Sequence, residues 1–199
     1  RKDPFVGAAS TMGSERVSTT ITWPNAVASS IGGTHSFTIE NPTTFVLCNT
    51  TTPIGDWLTA NSDFAWSNSA KTIHDPCPKG WKVISRNSWS DFSLETSFVF
   101  DADNKGYLYN GSDWYPMSGR LNHMTGELED VGVTGYYPSS GAATRTISAG
   151  NNNLSDPAGL NYVTRALYFT SGTLRVDDNN STRRANGNPV RCVRFTDDD

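Results

Sequence analysis

Asp75-Pro76-Cys77-Pro78-Lys79-Gly80-Trp81 and Val190-Arg191-Cys192-Val193-Arg194 hold two of the chain's three cysteines in stiff local structure. Two prolines and a glycine make the first stretch a rigid turn, and the second is an apolar-alternating strand. A bridge between Cys77 and Cys192 would close a loop of about 115 residues and stabilise the fold by about 4.7 kcal/mol through the unfolded chain. That is on the order of half the net stability of a typical domain. Such a bridge persists in an oxidising compartment, periplasmic, secreted or on a cell surface. Two alternatives stay open: Cys48 can take either partner, or all three thiols stay reduced and buried. Cys48, in Phe45-Val46-Leu47-Cys48, reads most simply as a small buried hydrophobe on a strand. In the turn, Pro76, Pro78 and Gly80 are expected to set the shape while Trp81 and Val83 enter the core.

The 199 residues suffice for one well-formed core. We read a single domain over 1–199, with 1–35 an N-terminal strand or extension, or the end of an upstream module, and 36–196 the core. Only 18% of residues are charged, and Lys and Glu, which fill exposed helices, are scarce. Ser, Thr, Asn and Gly instead fit many short strands and long ordered loops. A net charge of -4 without clustered Lys and Arg excludes a nucleic-acid surface. No apolar run approaches the roughly 18 residues of a membrane span. The chain opens on Arg1 without a signal pattern, and the expectation is a fragment of a larger export precursor.

Along the chain, Val17 to Trp23, His35 to Glu40 and Thr43 to Cys48 read as strands, the last two separated by an Asn41-Pro42 turn. Trp57 and Trp66 read as caps on the core. The helix candidate starts with Ser85 as its cap, places Trp89, Phe92 and Ser93 on one face, and ends near Leu94. Strands follow at Gly106 to Tyr109, Trp114 to Pro116, Gly135 to Tyr137, Arg165 to Phe169, Gly172 to Val176 and Pro189 to Phe195. Asn110-Gly111 supplies the positive φ angles of a tight hairpin turn. The fold class expected is α+β, mostly antiparallel sheet with one or two short helices and long ordered loops. Ser139 to Asn161 and Asp177 to Asn188 carry no element signal and read as functional loops or disorder.

These motifs resemble the Fibrobacter succinogenes major paralogous domain, a C-type-lectin-like module of surface and fimbrial proteins of Bacteroides-type gut bacteria. The resemblance runs through Asn41-Pro42-Thr43-Thr44-Phe45, Asp56-Trp57, the segment 75–83 and Tyr107-Leu108-Tyr109-Asn110-Gly111. It continues through Trp114-Tyr115-Pro116, Ser118-Gly119, Gly135-Tyr136-Tyr137, Ala166-Leu167-Tyr168-Phe169 and Arg184-Ala185-Asn186-Gly187, and ends in VRCVRF. It implies a C-type-lectin-like fold whose termini meet in one sheet, Cys77 joined to Cys192, and a secreted or outer-surface location. The sequence departs from the family where Pro138 follows Gly-Tyr-Tyr in place of a Trp.

Three features carry candidate chemistry. His74 and Cys77 suggest a thiolate nucleophile, but a bridged sulfur cannot attack and no oriented partner stands near; a formylglycine-generating enzyme is similar in general architecture alone. Asp101-Ala102-Asp103-Asn104-Lys105-Gly106 has the start of a calcium loop, yet Ser112 stands where the bidentate Glu belongs. Asp177-Asp178-Asn179-Asn180 is a second oxygen-rich run. Calcium is therefore the one candidate cofactor, and none is expected; the three histidines show no metal spacing. Binding remains. Tyr136, Tyr137, Asn151, Asn152, Asn153, Asp156, Arg175, Asp177, Asp178, Asn179 and Arg183 offer aromatic faces and planar amide, carboxylate and guanidinium groups for a glycan or protein ligand. The competing reading makes Tyr136 and Tyr137 a core and rim pair of one strand. The expected function is a non-enzymatic adhesin or recognition module that binds a host or neighbouring cell; the alternative is a structural pilus subunit whose loops pack against other subunits.

Overall fold

In the computed structural model, which describes residues 25–48, 55–60, 62–95, 97–147, 159–176 and 181–195, a disulfide joins Cys77 to Cys192. Cys48 is buried outside that bridge, so the other two pairings are excluded. The turn before the first motif strand is tight: Gly80 takes φ 79°, and the Trp81 amide donates to Pro78 O at 3.0 Å.

The chain begins with β1 (Asn25–Ala28), α1 (Ser29–Gly32), α2 (His35–Glu40) and β2 (Thr44–Leu47). β1 pairs with β2 in parallel. The strand expected at His35 to Glu40 is thus a helix. Thr34 caps it, its hydroxyl accepting from Phe37 N at 3.2 Å, and Asn41 closes it through a backbone bond to Phe37 O. Alternating Ser, Phe, Thr and Ile mimic a strand, but local capping decides in favour of one helical turn and a half. The Val17 to Trp23 expectation lies outside the described residues.

β3 (Trp81–Val83) pairs antiparallel with the last strand, β13 (Cys192–Arg194), Cys192 opposite Val83. The first and last described strands lie in different sheets; the chain's ends, 1–24 and 196–199, to which the expected meeting of termini refers, lie outside the described residues. Val83 is fully buried, whereas Trp81 is 43% exposed. It pairs with Arg194, an exposed residue past the core's edge, which corrects the expectation for Trp81. The expected helix from Ser85 shrinks to one 3₁₀ turn, Arg86–Trp89. Ser85 spends its hydroxyl on Ser88 at 3.1 Å rather than on a backbone amide. With no cap and Ser-rich composition the turn does not propagate, although Trp89 and Phe92 still enter the core.

Next come β4 (Phe98–Asp101), β5 (Gly106–Tyr109) and β6 (Asp113–Pro116), an antiparallel meander. Asn110 and Gly111 turn its second hairpin at φ 47° and 73°, as expected. β7 (Arg120–Leu121) and β8 (Leu128–Glu129) form a small hairpin. The longest pair is β9 (Gly135–Ile147) with β10 (Gly159–Thr170), antiparallel, flanked by β11 (Thr173–Arg175) and β12 (Ser181–Arg183) along the other edge of β10. Residues 139–147, 159–161 and 181–183 are therefore strands, not loops. Polar residues hide the pattern because backbone pairing, rather than apolar alternation, carries these segments.

Pro138 falls inside β9, opposite Ala166, where the register shifts between Thr164 and Ala166. A bulge is where a strand accommodates a residue with no amide to donate. Side chains repair the ladder: Ser139 Oγ donates to Arg165 O at 3.0 Å and Thr164 Oγ1 to Ser139 O at 2.7 Å.

The core gathers Ile84, Trp89, Phe92, Phe98, Tyr107, Tyr115, Met117, Tyr137, Leu167 and Phe169. Phe98 and Tyr107 stack with ring centroids 4.3 Å apart, and Phe169 meets both rings edge-on. Arg191, beside Cys192, lies 4.2 Å over the Tyr115 ring. The described strands are mostly antiparallel with two short α-helices, an α+β arrangement at the coarse level.

Candidate functional site

A cleft of about 460 Å³ opens between α2, residues 56–58 and 62–66, the turn before Cys77 and the middle of β9. Trp57, Trp66, His35 and His74 line it with rings. The two imidazoles stack, centroids 3.7 Å apart and planes 10° from parallel. Trp57 meets His35 edge-on at 5.5 Å, and the Trp66 indole donates to His74 O at 3.2 Å. The tryptophans are half-buried, walls of this cleft more than lids on the core.

Local structure fixes each wall. Thr59 N and its hydroxyl both donate to Gly33 O at 3.0 Å, tying the 55–60 segment to the end of α1. The Ala185 amide donates to Gly55 O at 2.9 Å. The turn before Cys77 is held by Asp75, whose buried carboxylate accepts from the amides of Cys77 and Val83 at 2.8 and 2.9 Å and from Lys71 Nζ at 3.0 Å. Behind it, the Ser140 amide donates to Ile84 O and its hydroxyl pairs with Asn68 Oδ1.

Arg184 spans the floor. Its guanidinium lies 3.2 Å from Asp56 Oδ2 and 2.5 Å from Asp63 Oδ1, and Nε donates to Val163 O at 3.2 Å. Burial pushes the Asp56 carboxyl up, opposed by the Leu58 amide and Arg184. Burial first, then His74, pushes His35 down, and Asp56 opposes. Three carboxylates (Asp56, Asp63, Asp75) and two guanidinium groups (Arg183, Arg184) line the cleft, which leaves one formal negative charge with neutral imidazoles, and Lys71 pairs with Asp75 from outside the lining. Asn186 bonds the His123 amide at 3.2 Å and Thr182 at 2.9 Å. Two exposed apolar residues line the cleft, Ile73 at 95% and Ile39 at 71% exposure, and Phe64, between the lining residues Asp63 and Ala65, is 85% exposed.

The expected site residues divide. Asn151, Asn152, Asn153, Asp156, Asp177, Asp178 and Asn179 lie outside the described residues. Tyr137 is buried in the core with its hydroxyl on Pro116 O at 2.8 Å, so it cannot reach a ligand. Tyr136, also buried, lies under the Arg120 guanidinium at 4.5 Å and 5.3 Å from the Tyr168 ring. The two tyrosines occupy opposite faces of one strand, as the competing reading held, except that the rim position too is covered. Arg175 is exposed over Tyr168. Arg183 is fully buried yet lines the cleft. The two polar segments do converge there, through Ser139, Ser140 and Ala142 from one and Arg183, Arg184, Asn186 and Asn188 from the other.

Not read as site residues from sequence were His35, Asp56, Trp57, Trp66 and Arg184, and His74 was read only as a partner for the Cys77 thiol. A signal for three of them was in hand: Asp56-Trp57 and Arg184 belong to the motif stretches, yet they read as scaffold. His35 carried none. The Asp101 turn is self-contained, its carboxylate accepting from the Asn104 amide at 2.8 Å and from the Asn104 side chain. Among the described residues no group of three His, Cys, Asp or Glu side chains is placed to hold a metal ion, and no helix is long and apolar enough to cross a membrane. No protein family, characterised protein or solved structure is matched by this chain.

Proposed function

We propose that this chain is a non-enzymatic recognition module of a secreted or surface-exposed protein, on a C-type-lectin-like fold, that holds a glycan or protein ligand in the cleft above Arg184. The observation that carries this reading is the cleft itself: four aromatic rings, an ion-paired floor and polar edges from two convergent segments. Recognition sites combine apolar walls with a few placed polar groups in this way, at volumes of roughly 300–1,000 Å³. The Cys77–Cys192 bridge supports an oxidising, extracytoplasmic location. No thiolate is available at Cys77 for the Cys/His chemistry considered above.

A second reading, a pilus or envelope subunit packed against its neighbours, is favoured by the exposed Ile39 and Ile73 of the same cleft and the exposed Phe64. Glycan-array and partner-capture screens of the chain and its Trp57→Ala variant separate the two. Selective binding that the variant loses supports recognition. Binding by neither, with assembly of the surface structure lost in Ile73→Asp, supports the subunit reading instead.

A further inference from the structure

His35 opens α2, while His74 stands on the turn leading to Cys77, so their stack bridges two segments distant in sequence. Each segment is tied to its own surroundings. The turn is closed by the Asp75 amide on Thr72 O at 3.2 Å, by Thr72 Oγ1 on Ala65 O, and by the Trp66 indole on His74 O. α2 is held by its Thr34 cap and the Asn41 bonds to Phe37 O. Among the described residues no hydrogen bond or ion pair joins α2 to the turn. The ring stack is what spans them.

We propose that the His35–His74 stack is an acid-released latch at the cleft: neutral rings hold α2 against the turn, and protonation of both drives the facing cations apart and opens the wall. Two parallel rings at van der Waals separation leave no room for a counter-ion between them. The charged groups around the pair are already engaged. Asp56, the anion that acts on His35, is paired with Arg184 at 3.2 Å; Asp63 is paired with the same guanidinium. Asp75, next to His74, is taken by Lys71 and two amides. Glu40, the carboxylate on α2 itself, stands at its far end and is exposed. No uncommitted carboxylate among these can neutralise a second imidazolium. Burial and the facing ring already hold His35 below the ordinary imidazole range. For a base held down in this way, the folded arrangement is favoured above the ordinary imidazole range and loses that advantage as pH falls through it.

The significance of the latch for ligand release rests on the binding reading above, but its mechanics do not, so the test uses the free protein. Histidine ring and tryptophan indole signals are followed by NMR between about pH 8 and pH 5 in the native chain, in His35→Phe and in His74→Gln. The expected result is that the Trp57 and Trp66 indole signals shift with the histidine titration in the native chain and hold still in His35→Phe, which stacks without charging. In His74→Gln the His35 midpoint moves up toward the ordinary range. Indole signals that move equally in His35→Phe, or a His35 midpoint unchanged in His74→Gln, overturn the latch while leaving recognition in the cleft untouched. Should either variant fail to fold, the other decides alone.

Discussion

Asp75 shows how much a single side chain does here. Its carboxylate satisfies two backbone amides on either side of the Cys77 turn and one ammonium. Removing it strands the two amides and takes the carboxylate from Lys71, which keeps Cys77 O at 2.6 Å, so Asp75→Ala should cost about 3–5 kcal/mol, readable as a lower urea midpoint with unchanged slope. Asp75→Asn keeps one acceptor and should lose less. The position was legible as part of a rigid turn, but nothing in Asp75-Pro76-Cys77 told that the carboxylate would reach across to Val83. Arg183 is the opposite case: an arginine in a polar Asn-rich stretch reads as solvated, yet it is fully buried because β12 pairs along β10. His35 and His74 make the same point for pairs. Neither residue's neighbours in sequence carry information about a ring brought to its face by two independent elements.

At the scale of elements, the two glycines that turn and thin the strands can be told apart by experiment. Gly111 sits at φ 73° in the β5–β6 turn with open space where a Cβ would be. Gly111→Ala should therefore cost only the left-handed backbone term, about 1–2 kcal/mol, in chemical denaturation. At Gly135 in β9 a Cβ would fall inside the Phe169 ring, so Gly135→Ala must displace a core aromatic and should destabilise more, with loss of near-ultraviolet dichroism as the second readout. Phe169→Ala empties that same position from the β10 side and should cost about 3–5 kcal/mol. The Asn-Gly hairpin was readable because turn chemistry is local. Local signals misled at two of the helical sites: His35 to Glu40 has the period of a strand but the cap of a helix, and Ser85 has the identity of a cap without the bond. The strands of 139–147 and 181–183 were illegible since their pairing partner, β10, lies outside the window in which periodicity can be read.

For the molecule as a whole, the bridge and the buried tyrosines set the limits of stability. Cys192→Ser, or reduction under native conditions, should remove up to about 4.7 kcal/mol for a loop near 100 residues, seen as a fall in Tm. Burial raises the Tyr136 hydroxyl to about 12 from its ordinary 10, and Tyr137 is raised as well, also by burial. A raised folded value means the folded state keeps its proton longer. The stability these groups contribute is intact below about pH 10 and is lost as pH rises toward 12. Ultraviolet phenolate titration should show these tyrosines ionising only together with unfolding. By itself the sequence determined what local chemistry can determine: the Pro-Gly turn, the Asn-Gly hairpin, the β-rich composition and the aromatic strands that supply the core. The resemblance of its motifs supplied the Cys77–Cys192 pairing that the residues alone left open. Tertiary structure decided the cleft, because its rings and charges come from four separate segments. Their meeting depends on long-range strand pairing and a covalent bridge, neither of which leaves a periodic trace in the residues that finally touch.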